Sequence, residues 1–374
     1  MSGSRRALRE LIDLLVEVDE RFAGPEWMVE SVDDVAGAHR AVMHLLQGGL
    51  FSHFEQDPAR PSFRPVVSPT RKFTGDNPDA VYYEAPVTSD LAYRVRGNMA
   101  GAVYATITVE AGPGEGNFVD RTAGSISSDS FDVASDGSFE VIVGGPERSS
   151  NWLGLADDAC SLTTRHYFEE RRTVATDPFV PVGLTIEPLE PTPPTPPPSD
   201  ESVAAGIRRV ANFVRSRTLG MGPPAERVQP AFVGRTPNVF PAPVVPGDFA
   251  LSFAEAHYSL APYLIGPDEA LVMTGRWPEC RTAHVVLWNR WTQTYDYANR
   301  TVGLNRAQTA LEPDGSFRMV LAHEDPGVPN WIDTEGRGFG MVFWRFVLVE
   351  GEIETPHAEV VKHADIAASP LVQR

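Results

Sequence analysis

The stretch DGSFEVIV at residues 136–143 returns as DGSFRMVL at residues 314–321. In both places an Asp-Gly pair precedes a run of alternating apolar residues. Phe139, Val141 and Val143 fall on one side of the first run, and Phe317, Met319 and Leu321 on one side of the second. Asp-Gly marks a tight turn because glycine tolerates positive φ, and alternation with period two marks a strand with one buried face. Outward from this core the match continues at an offset of 178: Asp90 with Asp268, Ala92 with Ala270, Gly97 with Gly275, Ala105 with Ala283. One residue of slippage later, Asn151-Trp152 falls on Asn330-Trp331, and one more brings Arg165 onto Arg345. A tetrapeptide repeated in register with matches on both sides implies a duplicated β unit.

The pattern around the repeat supports this reading. Val103, Ala105, Ile107 and Val109 alternate against Tyr104, Thr106, Thr108 and Glu110, as in a sheet buried on one face. Such sheets must pack face to face or close on themselves. The expected fold is mainly β: two antiparallel β-sandwich or jelly-roll-like units in tandem, with an N-terminal helical segment and a linker helix.

Residues 1–56 are read as the helical segment, with Leu8, Leu11, Ile12, Leu15 and Val18 at helical spacing and a second helix from Ser31 or Asp33 to about Phe54. Residues 57–185 form the first expected sandwich, irregular until Ala80 and then rich in strands. Residues 186–220 combine a polyproline spacer with a helix that ends before Gly220, and residues 221–374 form the second sandwich.

The chain has 374 residues, 33 Pro and 31 Gly, which favours two cores built from short strands and frequent turns. A net charge of −18 argues against nucleic-acid and anionic-membrane partners, which it would repel. Only Lys72 and Lys362 are lysines, so nearly all positive charge is arginine. Cys160 and Cys280 occupy unmatched positions in the two halves, which points to reduced, unpaired thiols. Acids at Glu10, Asp13, Glu17 and Asp19 interrupt any apolar leader, and no stretch reaches membrane-spanning length, so a cytoplasmic location is expected. Oligomeric state is left open.

The runs DGSF, NW and the following Arg, with WNRWTQTYD ahead of the second copy, resemble the bacterial domain-of-unknown-function family 1214. GDNPDAVYYEAPV is similar to a stretch of its partner family 1254. The resemblance covers residues 68–168 and, better, 268–350. It departs from the family where NWL and NWI lack the proline that commonly follows. It implies a β-sandwich or jelly-roll fold and brings no agreed activity or catalytic residues.

Two segments hold the candidate chemistry. SPTRKFTGDNPDAVYY, residues 68–83, offers Lys72, Asp79 and Tyr82 as catalytic candidates, with Arg71, Asn77 and Tyr83 to bind substrate. The alternative for this segment is a loop held by Asx turns and an Arg–Asp pair. WNRWTQTYDYANR, residues 288–300, offers Trp288, Trp291 and Tyr295 as aromatic faces for a ligand, or as packing at a domain interface. The repeated Asn-Trp pairs read as fold-defining corners, and Arg165 and Arg345 as members of the same structural set. No HExxH, paired-Cys, GxSxG or phosphate-loop pattern occurs, so no metal and no cofactor is expected.

Two functions follow. One is an enzyme acting on a small organic molecule in a pocket of, or between, the β domains, which requires Lys72, Asp79 and a tyrosine to converge. The other is a non-catalytic ligand-binding or interaction module using aromatic surface clusters.

Overall fold

The computed structural model describes residues 2–177, 179–247, 250–251 and 253–366. It contains two β-sandwiches of matching topology. In the first, a sheet of β1 (Arg64–Pro65), β2 (Ala80–Pro86), β8 (Ala159–Tyr167), β4 (Tyr104–Ala111) and β5 (Arg121–Ser127) runs in that order. It faces a sheet of β7 (Trp152–Leu153), β6 (Ser138–Val143), β3 (Tyr93–Asn98) and β9 (Thr185–Pro188). In the second, β10 (Ala256–Leu264), β16 (Phe339–Val349), β12 (Cys280–Trp288) and β13 (Gly303–Asn305) take the places of β2, β8, β4 and β5. The facing sheet orders β15 (Trp331–Asp333), β14 (Phe317–Ala322), β11 (Glu269–Gly275) and β17 (His357–Lys362). Even the parallel edge pair recurs, β6 with β7 and β14 with β15, in sheets otherwise antiparallel.

The shared residues explain the shared topology. Asp136 and Asp314 each accept the backbone N–H and the hydroxyl of the serine two residues on, and Gly137 and Gly315 both sit at φ +83°. Gly97 opposes Phe139 across the β3–β6 ladder, and Gly275 opposes Phe317 across β11–β14. Each phenyl ring lies where a Cβ on its glycine would be, so the glycine is required for close approach. Asn151 and Asn330 both adopt positive φ, and Trp152 and Trp331 each donate from the indole to a carbonyl of the preceding strand's end, Gly144 and Ala322. The Asn-Trp pairs are corners of the fold.

Inside the first sandwich Val95, Ile107, Val109, Val141 and Leu162 form one core, and in the second Leu271, Val285, Met319, Val342 and Trp344 form another. The expectation of one buried face per sheet needs correction. Tyr104, Thr106, Thr108 and Glu110, the polar side of β4, are buried too. The β2–β8–β4 and β10–β16–β12 sheets turn their outer faces toward each other. Tyr104 and Tyr167 from one meet Tyr258, Val286, Trp288 and Phe343 from the other in a shared cluster.

The helices are α1 (Gly3–Arg21), α2 (Val32–Ser52) and α3 (Asp200–Arg217). Ser2, Ser31 and Ser199 cap their N-termini, the last two in capping boxes. Leu14, Val18, Val42 and Val214 join the three into one cluster, so the linker helix packs with the N-terminal segment rather than standing apart. Arg208–Glu10 and Arg215–Glu17 pairs tie α3 to α1. The expected spacer also starts too early: Thr185–Pro188 pairs with β3, tolerating proline because β9 is an edge strand.

A candidate anion-binding cavity between the sandwiches

Where the two outer faces diverge they leave a cavity of about 1160 Å³, closed by α2, the end of α3, residues 66–76 and the irregular run 224–237. That volume is a little above the usual range of small-molecule sites. Its walls are unusual for so acidic a chain. Eight Arg and Lys side chains line it against three carboxylates, Asp76, Glu84 and Asp120, while the protein as a whole carries −18.

At its centre stands a pair related by the duplication. Arg165 of β8 lies between Tyr82 and Thr106 of its neighbouring strands, and Arg345 of β16 lies between Tyr258 and His284 at the corresponding places. Both arginines are buried, 4% and 5% exposed. The reading of this matched pair as scaffold is therefore too narrow, because both line the cavity.

Their partners differ. Arg165 lies 3.6 Å from the Glu110 carboxylate and donates to Thr108 Oγ1 at 2.7 Å and to the Leu251 carbonyl. Arg345 has no carboxylate partner among the described residues. Its Nη1 donates to the Tyr82 hydroxyl at 3.2 Å, its Nε has no partner, and its neighbours include the rings of Phe343 and Tyr258 and the side chains of Tyr167 and His284. A guanidinium stays charged at any ordinary pH, so Arg345 is a buried cation without a counter-ion among the described residues.

The sequence candidates divide. Arg71, Lys72, Tyr82 and Trp288 line the cavity. Arg71 is held by the Pro65 and Val66 carbonyls over the Phe51 ring. Lys72 is fully engaged: its ammonium donates to Thr294 Oγ1 at 2.9 Å and the Tyr295 carbonyl at 3.2 Å, and sits 3.4 Å from the centre of the Tyr297 ring. Burial pulls its pKa down to about 8, opposed by Asp76. Asp76 itself accepts from the Thr294 amide and hydroxyl.

Asp79 does not join them. It is buried away from the cavity, accepting from Asn305 Nδ2 at 3.0 Å, and burial pushes its carboxyl up to about 7. Asn77 closes an Asx turn on the Asp79 amide, and Tyr83 projects from the opposite side of β2 to Tyr82. Lys72 and Tyr82 both line the cavity but engage different partners, and Asp79 lies outside it, so the three do not converge.

Nor do the three aromatics share a surface. Trp288 is buried with its indole donating to the Asp76 carbonyl, Tyr295 is buried in the second core with its hydroxyl on Tyr263, and Trp291 packs on Phe22 of the helical cluster.

Three further features of the wall lie outside the segments that sequence singles out. His44 of α2 accepts the Lys72 amide on Nδ1, which leaves the proton on Nε2, and burial lowers its pKa to about 4. Arg217 at the end of α3 lies 3.9 Å over the Phe118 ring with an unpartnered Nε. Arg227 donates to the Gly222 carbonyl. The register between strands related by the repeat could have singled out Arg165 and Arg345 as cavity residues; nothing in local sequence marks the other three.

Along its length the chain is similar to a crystal structure of an uncharacterised protein from Burkholderia cenocepacia. The two share 26% identity over 96% of this chain and 98% of that one, with a TM-score of 0.83. A solved protein from Vibrio parahaemolyticus matches at 12% identity over 87% of this chain and 98% of that one, with a TM-score of 0.49. No family model and no curated protein matches the chain.

Proposed function

We propose that the protein binds an acidic, partly apolar small molecule between its two sandwiches, with Arg345 as the anchor for the acid group. The observation that carries this is the charge imbalance of the inner pair: Glu110 answers Arg165, and no carboxylate among the described residues answers Arg345. Burying an unpaired ion costs several kcal/mol, and a bound carboxylate or phosphate returns much of that through charge-assisted hydrogen bonds. Phe73, Phe118, Phe213, Phe232 and Phe343 supply the apolar wall for the rest of the ligand.

A thermal-shift series of alkyl carboxylates, alkyl phosphates and alkanols of matched length tests the reading. Acids are expected to raise the melting midpoint where alkanols do not, and Arg345→Met to lose the response. Equal shifts from acids and alkanols, or a full response in the variant, would overturn it.

One observation favours a catalytic form of this reading. The Tyr82 hydroxyl accepts from Arg345 inside the cavity, where a phenol beside a guanidinium is placed to exchange a proton with a bound substrate. Tyr82→Phe would then keep ligand binding and abolish turnover; a variant with intact turnover excludes the role.

On the same footing we place the protein in the cytoplasm and keep the kinship with families 1214 and 1254 as part of the proposal. Cys160 and Cys280 are unpaired, and burial raises the thiol pKa values to about 12 and about 11, as suits inert sulfur.

A further inference from the structure

We infer that the ligand carries two anionic groups, one held at depth by Arg345 and one nearer the solvent by Arg217 and Arg227; this rests on the proposed function above.

The cavity has two cationic poles set in different surroundings. Arg345 is 5% exposed and lies in the cluster shared by the two sheets, among Tyr258 and Phe343. Arg217 lies over Phe118 and Phe73, which belong with Phe213 to a separate cluster under the helices. Arg217 and Arg227 are half-buried, and Ala225 and Gln229 beside Arg227 are exposed, so this pole lies nearer the solvent than the buried Arg345.

Neither Arg217 nor Arg227 has a carboxylate partner among the described residues. Arg217 has the Phe118 ring, and Arg227 has one backbone carbonyl. Both line the same cavity, and the charge of Arg227 acts against that of Arg217, as like charges repel. Surface arginines elsewhere in the chain find acids readily, as Arg121 does with Asp158 and Arg281 with Asp129. This outer pair therefore matches the situation of Arg345: cations lining a concave space with the counter-charge left to something that enters it. The phenyl rings of Phe73, Phe118, Phe213, Phe232 and Phe343 line the same cavity, which suits an aliphatic or aromatic body between the two acid groups.

The test is isothermal titration calorimetry with n-alkyl monocarboxylates and α,ω-dicarboxylates of the same lengths, from six to sixteen carbons. We expect the dicarboxylate to bind at least about tenfold tighter than its monocarboxylate at one matching length, the gain from a charge-assisted pair. Arg217→Met and Arg227→Met, each made singly so that one misfolded variant does not decide the matter, are expected to erase that difference. Arg345→Met is expected to lose both ligand classes. Monocarboxylates that bind as tightly as dicarboxylates at every length overturn the two-anion inference and leave the anion-binding reading standing. No binding by either class overturns both.

Discussion

Arg165 and Arg345 stand at the same place in the two copies of one sandwich, yet one has a carboxylate and the other does not. The difference comes from the strand beside each. Glu110 follows Thr106 and Thr108 on the outer face of β4, whereas the matching face of β12 carries His284, Val286 and Trp288. Duplication therefore kept the cation twice and the anion once. In a buried layer such an omission costs stability unless something else supplies the charge, which makes the second arginine the informative one.

Charge removal should therefore act unequally on the two copies. Glu110→Gln should do the most damage, because it strands Arg165 in a buried layer. We expect a loss of about 3–5 kcal/mol by urea unfolding. A loss below about 1 kcal/mol would mean that Thr108 and the Leu251 carbonyl alone satisfy Arg165.

Asp79 gives a pH-dependent contrast. Its folded pKa is raised to about 7, above the ordinary value of 3.8, so the folded state prefers the protonated acid. Its favourable contribution is intact below 3.8 and is lost progressively as pH rises from there to about 7. Asp79→Asn keeps an oxygen for Asn305 and removes the titration, so the variant should gain on the parent across that window and level off above it. A constant difference in melting midpoint across the window would show that Asp79 ionises without cost.

The smallest effect concerns the two glycines. A Cβ at Gly97 would meet the Phe139 ring at 2.5 Å, and one at Gly275 would meet Phe317 at 2.9 Å. Both Gly→Ala changes should cost about 1–3 kcal/mol by denaturant unfolding, Gly97→Ala the more. A reversed order would show that the second core, not the first, holds its phenyl ring more rigidly.

Much of the fold was legible because the duplicated residues are those that make turns and close approaches. Asp-Gly-Ser-Phe and Asn-Trp act through their own backbones and immediate neighbours, so the pattern survives in sequence. The strands at Glu269–Gly275 and Phe317–Ala322 are where alternation places them. What escaped was short or edge structure, such as Thr185–Pro188, where proline masks a strand paired on one side only.

The lining of the cavity was legible in part. Arg71, Lys72, Tyr82 and Trp288 do line the cavity, but Lys72 is occupied by Thr294 and Tyr295, which lie far along the chain in the second sandwich. The central error had one cause. Thr106, Thr108 and Glu110 look solvent-facing in a strand read alone, and only the packing of two sandwiches through their polar faces buries them. No local pattern distinguishes a polar face turned to water from one turned to a second domain.

Urea unfolding of Arg165→Met and Arg345→Met, measured side by side without ligand, tests the asymmetry most directly. Arg165→Met should lose several kcal/mol, because Glu110 is left buried without its cation and with only the Thr108 and Thr122 hydroxyls, while Arg345→Met should match or exceed the parent. Equal losses in the two variants would make Arg345 an ordinary structural cation and remove the reason for placing an acid beside it.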